Sequence, residues 1–162
     1  MNGMATIESY IEKSVKYIST RDAWCYGSPG LAYSLMYASK ILNDSYLYEI
    51  SCTSLKNSLI RKNEIFSPTF CHGYAGLAYI SYKFNLLTKE NIFLEESDKL
   101  LERIMSFYDQ NNCFGFCNIE KIGNRIKKLN SISLLDGSIG VLLTILKSNK
   151  NNTIWDSIFL VD

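Results

Sequence analysis

Three stretches decide how this chain folds: Trp24-Cys25-Tyr26-Gly27-Ser28-Pro29-Gly30 followed by LAYSLMYA (31–38), Cys71-His72-Gly73-Tyr74-Ala75-Gly76 followed by LAYISYKF (77–84), and Asp136-Gly137-Ser138-Ile139-Gly140 followed by VLLTIL (141–146). Each is a G-x-x-G turn that opens a run with almost no charge. A helix that lacks a polar face must be buried on most sides, so these runs read as inner helices. First glycine to first glycine the spacings are 46 and 64 residues, enough for an inner helix, a returning outer helix and loops. The repeat unit therefore reads as an αα-hairpin, three of which are stacked. Glycine at the entry serves either an unusual φ/ψ or a close approach of backbones.

Working outward, the intervening segments supply the cover. From Thr88 the apolar residues Phe93, Leu94, Leu100, Leu101, Ile104, Met105 and Tyr108 share one helical face, with Thr88 as N-cap and Glu90 in the positive first turn. A further outer helix is expected over Ile7 to Ile18, within residues 1–20. Asn63 to Phe70 and Gln110 to Ser131 show no helical period and read as loops. With two prolines and abundant Leu, Ile, Tyr and Lys, the expected class is all-α, a single domain over 1–162 with the three G-x-x-G units in 21–162.

The chain has 162 residues, 47% hydrophobic and 20% charged, with 17 basic against 16 acidic side chains. That balance excludes disorder and gives no basic face for nucleic acid. No apolar run approaches the roughly 18 residues of a membrane span, and the amino terminus lacks the features of a secretory signal. A cytoplasmic protein is expected, and an odd count of five cysteines there argues against a disulfide framework.

The chemistry lies just ahead of the turns. Cys25 stands before the first, and Cys71 with His72, the sole histidine, before the second. Equivalent ends of neighbouring inner helices can converge on one point. Two thiolates and an imidazole suit zinc, at about 2.3 Å for sulfur and 2.0–2.1 Å for nitrogen, and three ligands leave a fourth position open. The same residues also fit a plainer reading, in which the cysteines are small core residues and His72 caps a helix. Cys113 and Cys117 read as unpaired thiols, Cys52 as a thiol without a partner, Asp136 as a helix cap and Trp24 as packing.

WCYGSPGLAYSL, CHGYAGLAYI and LLDGSIGVLLTIL, in this order and near these spacings, resemble the carboxy-terminal half of LanC-type lanthionine cyclases. These enzymes make the thioether rings of lantibiotics and other lanthipeptides. The resemblance implies an (α/α) toroid with a zinc ion held by Cys25, Cys71 and His72, and catalytic roles for Arg21 and Tyr26. It implies that a peptide cysteine joins the metal and adds to dehydroalanine or dehydrobutyrine of a dehydrated precursor. A dehydratase and an exporter are the implied partners, with attachment at the membrane periphery through them. Full-length members are roughly twice as long and carry a further histidine and aspartate for proton transfer. The chain is therefore expected to be a truncated form, or half of a split enzyme completed by a separate chain, that binds zinc and cyclises little alone. A module that binds precursor or partner proteins without chemistry is the alternative. A third reading is a toroidal thiol-activating zinc enzyme such as a prenyltransferase subunit, whose metal shell would need an aspartate these motifs do not offer.

Overall fold

The computed structural model describes residues 21–148 and 155–159; the helix expected over Ile7 to Ile18 lies outside them. The runs behind the three turns form α1 (Ser28–Leu42), α3 (Tyr74–Thr88) and α5 (Ser138–Ser148), and the segments between them form α2 (Ser45–Arg61) and α4 (Asn91–Met105). A 3₁₀ turn covers Trp155–Phe159. Short links let α2 fold back on α1 and α4 on α3, and α3 also packs against both α1 and α5. No helix among the described residues is long and apolar enough to cross a membrane.

Local chemistry sets the helix ends. Asn43 ends α1 in the left-handed region, at φ 52°, which asparagine tolerates. Asp44 then caps α2, its Oδ1 accepting from the N–H groups of Tyr46 and Leu47 at 2.8 and 3.1 Å. The expected start at Thr88 is corrected: Thr88 closes α3, Lys89 takes φ 63°, and α4 begins at Asn91 after Glu90. Thr88 Oγ1 serves the link itself, accepting from the Glu90 N–H at 3.2 Å. In α4, Phe93, Ser97, Leu100 and Ile104 are buried at spacings of four, three and four, the stripe of a half-covered outer helix. Two serines tie this hairpin, Ser97 Oγ donating to the Ala78 carbonyl at 2.9 Å and Ser81 Oγ to that of Phe93 at 2.7 Å.

The second correction concerns Gln110 to Ser131, which holds an antiparallel hairpin of β1 (Asn118–Ile122) and β2 (Arg125–Leu129). Its signal is the pair Gly123-Asn124 between two short runs with isoleucines. Gly123 sits at φ 59° in the first central position of the two-residue turn, where type II′ geometry favours glycine. The hairpin is tied to the helices through the buried Ser67, whose Oγ donates to Asn118 Oδ1 and accepts from the Ile119 N–H, both at 3.1 Å.

Candidate functional site

At each helix mouth the preceding loop crosses directly over the start of its helix. A Cβ at Gly76 would stand 2.1 Å from the Phe70 carbonyl oxygen, six residues back, and Gly30 and Gly140 meet the carbonyls of Trp24 and Leu134 in the same way. The second glycine of each turn is thus required for close approach. The loops of the second and third mouths repeat atom for atom in their main contacts: Tyr74 N–H donates to the Ser67 carbonyl at 2.9 Å and Ser138 N–H to that of Ser131 at 3.0 Å.

The mouths are then joined side by side. Cys25 N–H donates to the Cys71 carbonyl at 3.1 Å, and Cys71 N–H donates to the Leu135 carbonyl at 2.9 Å. Cys25, Cys71 and Leu135 each stand two residues before the first glycine of their turn; Tyr26, His72 and Asp136 each stand one before. Aromatic rings brace the row from below: Trp24, just before Cys25, lies 5.5 Å from Phe70, just before Cys71. Phe70 in turn meets Trp155 of the carboxy-terminal turn at 5.4 Å.

The side chains above this row form the candidate centre. Ligand atoms of Cys71, His72 and Asp136 all lie within 4.8 Å of one another, the one such His/Cys/Asp/Glu group among the described residues. The Cys71 thiol is pushed up to about 12 by burial, by its hydrogen bond and charge coupling with the Cys25 thiol and by the Asp136 carboxylate, with the Arg21 guanidinium pulling the other way. Cys25 meets Cys71 through the backbone hydrogen bond across the mouths, though it is outside the tight trio and exposed. His72 Nδ1 is 3.2 Å from Asp136 Oδ1, an oxygen that is buried without a hydrogen bond. In place of capping α5, Asp136 thus has this oxygen turned to the imidazole. Its signal in the sequence was positional, since it holds in the third unit the place of His72 in the second.

Arg21 lies with its guanidinium 5.3 Å over the Phe66 ring. It lines a cleft of about 220 Å³ with His72 and strand β1. Tyr26 is 85% exposed. It stands on the rim of a wider cleft of about 870 Å³ along α1 that also holds Cys25. Cys52 is buried, Cys113 is exposed, and Cys117 Sγ accepts from Asn112 Nδ2 at 2.9 Å and donates to Asn130 Oδ1 at 3.2 Å.

This order of motifs and helices has a counterpart among known proteins. The model of the Lanthionine synthetase C-like protein family matches residues 4–160. The chain belongs to that family. It is 33% identical over 119 residues to the nisin biosynthesis protein NisC of Lactococcus lactis subsp. lactis, a match covering 71% of this chain and 28% of that protein. It also superposes on a solved structure of nisin cyclase with a TM-score of 0.69 and 27% identity, over 99% of this chain and 37% of the other. The all-helical expectation thus stands as a LanC-like helical fold with one small hairpin added, and the chain spans well under half the length of the relatives it matches.

Proposed function

We propose that Cys25, Cys71 and His72 hold a zinc ion, and that a peptide cysteine delivered to it adds to a dehydroalanine or dehydrobutyrine of the same lanthipeptide precursor. The carrying observation is the contact of Cys25 with Cys71 across neighbouring mouths, beside His72. The donor set fits the metal: two sulfurs and an imidazole suit zinc, and the Asp136 carboxylate oxygen, 3.2 Å from the ring and without a hydrogen bond, is placed to take the second ring N–H of a metal-bound His72. A Cys71 thiol at about 12 stays protonated at neutral pH unless a cation lies against it. Zinc bound there supplies the charge that keeps a visiting thiol deprotonated at neutral pH.

This chain's own residues then shape the addition. As the sulfur bonds to the β-carbon, the double-bond electrons move toward the acceptor carbonyl, whose oxygen gains negative charge. Arg21, in the His72 cleft and close enough to act on the Cys71 thiol, would stabilise that oxygen, and Tyr26 at the rim would assist in orienting the peptide. The α-carbon must still receive a proton. With His72 given to the metal, that proton comes from solvent or from a donor other than an imidazole of these 162 residues. A dehydratase and an exporter would complete the assembly.

Metal titration tests the reading. One zinc per chain is expected, and cobalt in its place should give a thiolate-to-metal charge-transfer band that Cys25→Ala weakens and Cys71→Ala or His72→Ala abolishes. A band unchanged in Cys25→Ala would sink this ligand set. The tight Cys71, His72 and Asp136 trio supports a second reading, in which the carboxylate replaces Cys25; Asp136→Ala would then abolish binding where Cys25→Ala does not. With dehydrated precursor, the chain alone should bind zinc and form little thioether. Full turnover would overturn the expectation that the proton relay lies elsewhere.

A further inference from the structure

Charge is shared out unevenly over this molecule. On and beside the helices, Lys56, Arg61, Lys62, Lys83 and Lys99 each meet a carboxylate of the same chain, and the cations there that do not, such as Lys40, Lys89 and Arg103, are scattered singly. On the hairpin, Lys121, Arg125, Lys127 and Lys128 are all exposed, and none of them forms an ion pair with the described residues. The hairpin's one acid, Glu120, accepts instead from Asn118 Nδ2 at 3.1 Å. Four cations against one carboxylate thus sit within twelve residues of a chain whose net charge is only +1.

The hairpin also adjoins the candidate centre. Residues 119–122 of β1 form one wall of the cleft whose other walls are Arg21, Phe66 and His72. Directly paired residues of an antiparallel ladder share a face. The register pairs Ile119 with Lys128 and Lys121 with Ile126, so one face carries two lysines on one diagonal and two isoleucines on the other. Such diagonal neighbours stand about 7–8 Å apart. Alternate side chains of an extended peptide are spaced about 6.6–6.8 Å apart. Ile126 is 73% exposed, which leaves an apolar contact available between the charges.

We propose that the β1–β2 hairpin is the docking lip for an extended, acidic peptide segment. Carboxylates two residues apart, which project to the same side of an extended chain, meet Lys121 and Lys128, and the methylene stems of those side chains cross Ile119 and Ile126. That this segment belongs to the peptide whose cysteine is delivered to the neighbouring centre rests on the function proposed above; the binding surface itself needs no metal.

Fluorescence anisotropy on the full chain tests the idea with three labelled probes: a peptide alternating Glu with apolar residues, its Gln counterpart, and a single-stranded DNA of equal charge. The acidic peptide should bind best and weaken as salt rises. Lys121→Glu/Lys128→Glu should raise its Kd about tenfold, while Lys40→Glu/Lys89→Glu, exposed cations on α1 and at the end of α3, should leave it unchanged. Lys121→Gln/Lys128→Gln, which adds no new charge, should give a smaller loss of the same sign and carries the test if the reversal unfolds the hairpin. Equal binding of the Gln peptide, equal or tighter binding of DNA, or unchanged affinity in the folded lysine variants would overturn the proposal. Zinc content should not change in the lysine variants, and Cys71→Ala should retain the peptide, so failure here and failure of the metal centre are read separately.

Discussion

The same tripeptide, Leu-Ala-Tyr, follows the first and second G-x-x-G turns, and its two copies live in different surroundings. Leu77, Ala78 and Tyr79 of α3 are all buried, whereas Leu31 at the equivalent place in α1 is 62% exposed beside a buried Ala32 and Tyr33. The tyrosine hydroxyls differ too: Tyr33 donates to Tyr37 at 3.3 Å, while Tyr79 donates to the buried Asp156 carboxylate. α3 has α1 on one side and α5 on the other, and α1 has a described inner neighbour on one side only. Identical residues therefore acquire different energetic weight from their place in the stack. The candidate centre shares this asymmetry, with Cys71 half-buried and Cys25 exposed.

Substitution at the second glycines gives the largest expected effect. At both Gly76 and Gly30 an added Cβ would stand 2.1 Å from a carbonyl oxygen. Helix α3 is wedged and cannot shift, so Gly76→Ala should cost roughly 3 kcal/mol or more, and Gly30→Ala clearly less. Equal losses in urea unfolding would break the comparison. Next, Leu77→Ala should cost about 2–5 kcal/mol by opening a cavity, and Leu31→Ala less than about 0.5 kcal/mol. A comparable cost for Leu31 in the isolated chain would mean that its face is covered after all.

The Asp156 clamp offers a sharper test through pH. Burial alone would raise this carboxyl, yet the hydrogen bonds from Lys83 and Tyr79 outweigh it and hold the group at about 2. A lowered folded-state value contributes stability above the unfolded carboxyl's range, about 3.9, and loses it as pH falls toward the folded value. The contribution is about 2 kcal/mol, present at neutral pH and lost between roughly pH 4 and 2. Urea midpoints of the wild type and Asp156→Asn should differ by a constant amount above pH 5 and draw together below pH 4. A gap that stays constant down to pH 2 would rule out the clamp. The smallest effect is expected at the loop serines. Ser67→Ala removes a buried hydroxyl that binds the hairpin and should cost about 1 kcal/mol. Ser131→Ala, at the same place in the third mouth but bonded to the exposed Ser133, should stay within about 0.5 kcal/mol.

Much of the fold was legible because its signals are local. Runs with almost no charge behind glycine turns mark α1, α3 and α5, and a spaced apolar stripe marks α4. The boundary at Thr88 was misread because threonine serves equally as the last residue of one helix and as an acceptor for the next link. The β-hairpin was missed because its isoleucines are interleaved with lysines, leaving no apolar face to count, so that Gly123-Asn124 was its sole strong signal. Of the candidate centre, Cys25, Cys71 and His72 could be picked by residue type and position. Asp136 holds the matching position in the third unit, yet reads first as a cap, since a carboxylate before a helix already has a common structural use.

Residue type and periodicity determined that this chain builds glycine-gated inner helices with thiols and an imidazole at their mouths, because those properties depend on neighbours within one turn or loop. Which copy of a repeated motif is buried, which acid faces the imidazole and which lysines lack partners were decided only by the tertiary structure. Such outcomes depend on what lies across from a residue, and hydrogen bonds between separate mouths, 46 and 64 residues apart in the chain, set that.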